Sequence, residues 1–159
     1  MIMKKQLILY LLPASRLFGA CGGSDSADSS GAASEVKSMV EDEPVADPKG
    51  IGEVKHVDLN SPLNEEWVAK GNAIYDMKCS ACHKLTDMRV VGPGWKGVTD
   101  RRTPEWIMNM TLNVDVMLEK DPAAQAMLKE CLVRMPNQNL NQEDARAVLE
   151  FMLKNDGKS

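Results

Sequence analysis

The 159-residue chain lacks three features that would place it in common classes of protein. It has no long basic run, and its formal net charge is -4, which argues against nonspecific binding to nucleic acid. Its apolar run at residues 7–12 is too short to span a bilayer. No βαβ pattern, internal repeat or clean alternating strand is present. The last of these absences favours an all-α domain.

Cysteine and histidine are also scarce, which limits the metal sites that the chain can build. Of four cysteines and two histidines, Cys79, Cys82 and His83 fall within the stretch "KCSACHKL". A structural zinc site needs four such ligands in suitable pairs. The remaining candidates are unpaired in the sequence: Cys21, His56 and Cys131. Zinc is therefore a weak alternative.

The Cys-x-x-Cys-His spacing is the attachment signature of c-type haem. The two cysteines add to the haem vinyl groups, and the adjacent histidine reaches the iron. A thioredoxin-like dithiol is the other reading, but it would need a βαβ setting. We therefore predict one covalent haem c on Cys79 and Cys82, with His83 as the proximal iron ligand.

Helix signals dominate the chain from Pro62 onward. Four segments begin with a capping residue, and two of these have proline at the first helical position. The predicted caps are Asn64, Thr103, Asp121 and Asn141. These signals predict an all-α domain over residues 62–155, interrupted by long loops.

The sixth iron ligand has to come from outside the attachment motif. His56 lies in an upstream segment that we expect to be exposed, and most of the 11 methionines fall in predicted helices or beside the motif. Met135 differs because it lies in the loop "VRMPNQNL", before the last helix. A thioether ligand raises the reduction potential. We predict Met135 as the sixth ligand. We predict Cys131 to be a buried apolar residue, and the alternative is that its thiolate binds the iron in place of Met135.

The N-terminal part of the chain has the pattern of an export signal followed by a tether. Lys4 and Lys5 precede the apolar run, and "LFGAC" resembles the lipobox of bacterial lipoproteins, in which cleavage leaves a lipidated cysteine, here Cys21. Nine acids and three bases fall in residues 21–59, against fourteen acids and thirteen bases in residues 60–159. We predict a signal peptide over residues 1–20, a flexible acidic tether over 21–50 and an extended segment over 51–61.

From about Leu63 to Leu153, the chain resembles class I cytochromes c. "GNAIYDMKCSACH" is similar to that family's first helix, in which a glycine and an aromatic residue, here Gly71 and Tyr75, pack on the last helix against Phe151. The resemblance implies the class I cytochrome c fold behind a disordered N-terminal tether.

The stretch "GPGWKGVTDRR" resembles the family's loop after the haem motif. The resemblance implies that the Pro93 carbonyl accepts the Nδ1 proton of the proximal histidine, that Trp95 packs on the haem and that Arg101 lies near a propionate. A local basic set could form a docking patch for an acidic partner. Its members are Lys84, Arg89, Lys96, Arg101 and Arg102.

The resemblance implies a monomeric, membrane-tethered electron carrier and not an enzyme. The chain is similar to lipoprotein cytochromes c that take electrons from a quinol-oxidising complex and pass them to nitrous oxide reductase or to a haem-copper oxidase. We expect a lipid-anchored protein on the periplasmic side of a bacterial membrane. Two alternatives stay open: a haem module of a larger redox complex, and a haem enzyme or gas sensor whose sixth ligand is displaced.

Overall fold

The structure, a computed structural model, describes residues 47–159. The predicted signal peptide, Cys21 and most of the predicted tether lie outside the described residues. In the part of the chain that is described, no helix has the length and the hydropathy needed to cross a membrane.

Residues 47–159 form helices joined by loops, without a named strand, so the all-α prediction is confirmed. The last helix is the longest and packs mainly against the first. In chain order the helices are α1 (Glu65–Ile74, continued by a π-helical turn Tyr75–Cys79), α2 (Val98–Arg101), α3 (Pro104–Leu112), α4 (Val114–Lys120), α5 (Pro122–Cys131) and α6 (Gln142–Asn155).

The four predicted caps start α1, α3, α5 and α6. In each case a side-chain oxygen accepts a hydrogen bond from a backbone N–H of the first turn, which satisfies a donor that the helix itself leaves unpaired. The pairs are Asn64 with Trp67 (3.0 Å), Thr103 with Trp106 (3.2 Å), Asp121 with Ala124 (2.8 Å) and Asn141 with Asp144 (2.8 Å).

Two short helices, α2 and α4, were not predicted. The residue before α2 is Gly97, which has a φ of 70° and no side chain that could cap the helix. Asp156, just beyond α6, supplies the cap instead. Its carboxylate accepts hydrogen bonds from the Gly97 N–H (2.7 Å), the Thr99 N–H (3.0 Å) and the Thr99 hydroxyl (2.7 Å).

We expect Asp156→Asn to lower the free energy of unfolding by about 1–2 kcal/mol at neutral pH, because it weakens this cap. Burial raises the pKa of Asp156, but the hydrogen bonds from Thr99 and Gly97 outweigh it and hold the pKa below its ordinary value. The carboxylate therefore stabilises the fold above about pH 4, and this contribution is lost as the pH falls through the lower folded pKa. Urea unfolding should show that the difference in the free energy of unfolding between the wild-type and Asp156→Asn proteins becomes smaller at acid pH. A difference in the free energy of unfolding that stays constant down to about pH 2 would contradict this explanation.

The contact between α1 and α6 depends on a glycine. A Cβ atom at Gly71 would clash with the Ala147 carbonyl group and lie 2.8 Å from the Phe151 Cβ. One turn later, the Tyr75 ring lies 5.5 Å from the Phe151 ring, centroid to centroid. The two helices therefore cross at the Gly71 backbone, and the aromatic rings fill the space beside the crossing.

The segment before α1 packs on the domain more closely than the sequence indicates. Asn109, in α3, is 1% exposed. Its side-chain oxygen accepts from the Val54 N–H (3.0 Å), and its amide nitrogen donates to the carbonyls of Lys49 and Val54 (3.0 Å each). Thr103 donates to the Pro48 carbonyl (2.7 Å). Residues 48–50 therefore pack on the domain, whereas the sequence predicts that they belong to the flexible tether.

Candidate haem-binding site

A cavity of about 540 Å³ opens between the attachment motif, the loop that follows it, and helices α3, α5 and α6. Cys79, Cys82 and His83 line it together with Met135. This volume falls in the range of roughly 300–1,000 Å³ that is typical of ligand sites. The cavity thus joins the predicted attachment residues to the loop that carries the predicted sixth ligand.

The π-helical turn at the end of α1 positions the attachment motif. Such turns are rare, and they occur often at functional sites. The backbone N–H groups of Cys82 (3.0 Å) and His83 (2.9 Å) both donate to the Cys79 carbonyl, so the motif curls into a tight loop. The Tyr75 hydroxyl donates to the His83 carbonyl (2.9 Å) and ties this loop to the helix.

The orientation of His83 is set by the "GPG" turn. Its Nδ1 lies 2.8 Å from the Pro93 carbonyl oxygen, which can only accept, so Nδ1 carries the proton and Nε2 is left with a free lone pair. A Cβ atom at Gly92 would lie 2.8 Å from Nδ1 and 2.9 Å from Nε2, so only glycine fits beside the ring. Burial lowers the pKa of His83, and the bond to Pro93 opposes this in part. The imidazole is therefore neutral at pH 7, as a metal ligand must be.

The first cysteine of the motif does not have the lowered pKa of the reactive thiol in a redox dithiol. Burial raises the pKa of the Cys79 thiol to about 11, whereas reactive Cys-x-x-Cys thiols have a lowered pKa. The helical surroundings also lack the βαβ setting of such proteins. Within residues 47–159, no three His, Cys, Asp or Glu side chains lie close enough to share an ion, which disfavours zinc. Covalent haem attachment is the chemistry that this donor set fits.

Trp95 and Arg101 both line the cavity. Trp95 is buried, with its ring 5.0 Å from that of Tyr75 and 5.6 Å from that of His83, centroid to centroid. Arg101 donates to the carbonyls of Lys96 (2.6 Å) and Gly94 (3.4 Å), so its guanidinium closes the "GPGWKG" loop. This loop thus brings Pro93, Trp95 and Arg101 to one wall.

Met135 is not alone among methionines at the cavity. Met110, Met127 and Met152 also line it, although each lies in a helix. Helical position therefore does not by itself exclude a methionine from the site, contrary to our sequence argument. Arg102 donates a hydrogen bond to the Met127 sulfur (3.7 Å), so this sulfur already has a partner. Met77 and Met88 are exposed, at 75% and 60%.

Cys131 differs from the buried apolar residue that we predicted. It is partly exposed, it lines the cavity, and its sulfur accepts a hydrogen bond from Arg89 (3.2 Å). The reason is its position at the last residue of α5, where the chain turns outward into Leu132, which is 87% exposed. The apolar stripe of α5 therefore ends with Met127 and Leu128, one turn before Cys131.

The charged side chains around the cavity have a strong positive bias on a protein whose formal net charge is -4. Six bases and two acids line it. They are Lys78, Arg89, Lys96, Arg101, Arg102 and Arg134, with Asp87 and Glu130. Of the predicted basic set, Lys84 is absent from this lining and donates to the Ser80 carbonyl (2.9 Å).

Sequence reasoning missed Trp106, which lines the cavity from α3. Its indole N–H donates to Asp121 (3.2 Å), and the Arg102 guanidinium lies 4.8 Å from the ring centre. The only available signal was its place in the apolar stretch "WIMNM", which indicates burial and not the cavity that the residue faces.

Comparison with protein families matches residues 68–156 to the family described as Cytochrome c. A cytochrome c from Rhodothermus marinus is 33% identical, with a TM-score of 0.67, over 70% of this chain and 98% of that one. An engineered Rhodothermus marinus cytochrome c, Rma TDE, is 32% identical, with a TM-score of 0.66, over 70% of this chain and 100% of that one. The same engineered protein bound to a carbene intermediate has a TM-score of 0.63, at 32% identity and the same coverage.

No curated protein matches the chain in a sequence search. The family match extends from within α1 to just past α6, so it includes the attachment motif, the "GPG" turn and the Met135 loop. With this match and the agreement with a solved structure along nearly all of its length, the chain belongs to the cytochrome c family, whose members carry covalently attached haem c and transfer electrons with it.

Proposed function

We propose that this protein is a membrane-tethered carrier of single electrons, in which Cys79 and Cys82 would hold a haem covalently and His83 and Met135 would be the protein ligands of its iron. The observation that carries the proposal is that all four side chains line one cavity. A chain that would supply two iron ligands of its own would leave no iron site for a substrate, which suits a carrier better than an enzyme.

Each residue has a distinct part in this proposal. The haem supplies the one-electron redox couple. Cys79 and Cys82 would hold it covalently, and the Pro93 carbonyl fixes the ring of His83 so that Nε2 is available. Trp95 excludes water from the proximal wall, where it is 6% exposed. Met135 supplies a thioether, which favours the reduced state and a positive potential.

The cavity rim suits brief encounters with an acidic redox partner. Its bases outnumber its acids by six to two, which would speed association by electrostatic steering. Apolar side chains are exposed beside this rim, where a partner could exclude water. They are Met88, Val90, Val91, Leu132 and Val133. We propose a quinol-oxidising complex as donor and a haem-copper oxidase or nitrous oxide reductase as acceptor.

The carrier proposal predicts that the reduced holoprotein does not take up carbon monoxide at neutral pH, because Met135 keeps the sixth position. Optical spectra recorded before and after addition of the gas test this. Ready uptake by the wild-type protein would favour the enzyme or gas-sensor alternative. Co-purification with a membrane complex that survives high salt would instead favour a module of a larger assembly.

The tether proposal concerns residues outside the described part of the chain. Cys21 follows Gly19 and Ala20, which is the small-residue context of a lipoprotein cleavage site, and the acidic segment after it is suited to a leash. We propose that lipid on Cys21 anchors the protein on the periplasmic side of the membrane, since two or more acyl chains give lasting attachment.

Cys21→Ser is therefore expected to abolish membrane attachment, leaving either an uncleaved precursor or a soluble protein. Fractionation of cells that export the protein, followed by mass spectrometry of its N terminus, measures both outcomes. Cys131→Ser is the control, because it also removes one thiol but lies in the haem domain. The lipid-anchor proposal is wrong if the Cys21→Ser protein is still cleaved and still attached to the membrane like the wild-type protein.

A further inference from the structure

The loop that carries Met135 has almost no support from its own backbone. No backbone–backbone hydrogen bond includes any of residues 133–140 in the structure. The loop lies between two helices that are each bonded internally up to their ends. Segments with few internal hydrogen bonds open locally at a small fraction of the global free energy of unfolding. Something other than the backbone must therefore hold this loop closed.

Two cationic side chains hold the entrance of the loop. Arg89 donates through Nη2 to Glu130 (2.8 Å) and through Nη1 to the Cys131 sulfur (3.2 Å), at the end of α5. Arg134 donates to the Asp115 carboxylate (3.0 Å) in α4. These contacts fix the chain immediately before Met135 to two separate parts of the domain.

A third cation holds the far side of the loop. Lys78 donates to the Gln138 carbonyl (3.0 Å), three residues after Met135. Lys78 is adjacent to Cys79, and Arg89 pairs with His83 in an isolated antiparallel bridge. Lys78 therefore joins the Met135 loop directly to the segment that carries the attachment motif and the proximal histidine, and Arg89 joins that segment to the end of α5, just before the loop.

We propose that Lys78, Arg89 and Arg134 form an electrostatic latch that controls how often the Met135 loop opens and admits an external ligand. The proposal rests on the proposed ligation by Met135, and the three cations are positioning residues that act through it. The Arg89 and Arg134 side chains are 43% and 52% exposed, so salt screens their ion pairs. The latch thus adds little to global stability but much to the stability of a loop that has no backbone–backbone hydrogen bonds.

The first test is the affinity of the ferric holoprotein for imidazole at about pH 8, where imidazole is mostly neutral. Arg89→Gln and Arg134→Gln should each raise this affinity roughly threefold, and the triple Lys78→Gln/Arg89→Gln/Arg134→Gln variant should raise it at least tenfold. Lys154→Gln is the matched control, since it breaks an exposed pair with Glu65 (2.9 Å) at the end of α6 opposite to the loop.

Salt provides a signature that simple loss of packing would not produce. The imidazole affinity of the wild-type protein should rise between about 0.01 M and 1 M salt, as the Debye length falls from roughly 30 Å to 3 Å. The triple variant should have almost no such dependence. Wild-type affinity in the triple variant, an unchanged salt dependence, or an equal effect of Lys154→Gln would each overturn the latch.

Limited proteolysis of the holoprotein separates failure of the latch from failure of the Met135 assignment. A protease of broad specificity should cleave within residues 133–140 faster in the triple variant, by about the same factor as the affinity changes, and not in the control. This readout does not depend on which side chain is the sixth ligand. If cleavage is faster in the variant while Met135→Ala keeps the wild-type spectrum, the latch stands and the ligand assignment falls. If cleavage is unaltered, the latch falls.

Discussion

Met135→Ala is expected to remove the weak sulfur-to-iron charge-transfer band of the ferric protein and to let the reduced protein take up carbon monoxide. The physical reason is the loss of the thioether at a site where the replacement methyl group cannot reach the metal. Met135→His should keep a sixth ligand but lower the reduction potential by an amount on the order of 0.2 V, because imidazole favours ferric iron more than a thioether does. Spectra and potentiometric titration of the three proteins measure these effects.

Two other methionines of the cavity are the controls for this experiment. Met110→Ala and Met127→Ala also shorten a side chain that lines the cavity, but both should keep the charge-transfer band. If the band survives in Met135→Ala and disappears in one of these variants, that methionine is the ligand. If the wild-type protein lacks the band and Cys131→Ser changes the spectrum, the thiolate of Cys131 replaces Met135 in the assignment, and a lower potential follows.

Gly71→Ala should lower the free energy of unfolding of the holoprotein by about 3 kcal/mol. The new Cβ atom would lie 2.7 Å from the Ala147 carbonyl carbon and 2.8 Å from the Phe151 Cβ. Backbone atoms of α6 cannot move aside without separating the two helices, so the Tyr75 and Phe151 rings would lose contact as well. For a domain of this size, the thermal midpoint should fall by roughly 10–20 °C.

The intrinsic preference of alanine for helices would by itself change the stability in the opposite direction. In an exposed helical position, Gly→Ala stabilises by roughly 0.5–1 kcal/mol. A large loss of stability at Gly71 would therefore reflect the crossing alone. Asn72→Ala, at the next and exposed position of α1, is the control and should be neutral or slightly stabilising. A Gly71→Ala protein as stable as the wild type would mean that α1 and α6 do not cross this closely.

Much of the fold follows from local chemistry that is visible in the sequence. The caps at Asn64, Thr103, Asp121 and Asn141 could be predicted because each satisfies a backbone donor within three residues of itself. Helix α2 could not, since its cap comes from Asp156, more than fifty residues away. A cap that is distant along the chain leaves no local pattern.

The same distinction applies to the cavity. The sequence alone predicted the attachment chemistry of Cys79, Cys82 and His83, because a covalent bond to each vinyl group and an adjacent iron ligand require a fixed local spacing. It also indicated Met135, by the absence of a helix around it. It did not indicate that Trp106, Met110 and Met152 line the same cavity, because a helical stripe predicts burial without saying what a side chain is buried against.

What the sequence by itself determined about this protein is therefore its local chemistry: an all-α domain, its main helix starts and one haem attachment motif. Only the tertiary structure decided how these parts meet. In the structure, Asn109 of α3 donates to the Lys49 carbonyl, Cys131 is a partner of Arg89 and not a core residue, and Lys78 joins the attachment segment to the Met135 loop. The physical reason is that these contacts join residues far apart in the chain, and their strength depends on distances in space that no spacing in the sequence encodes.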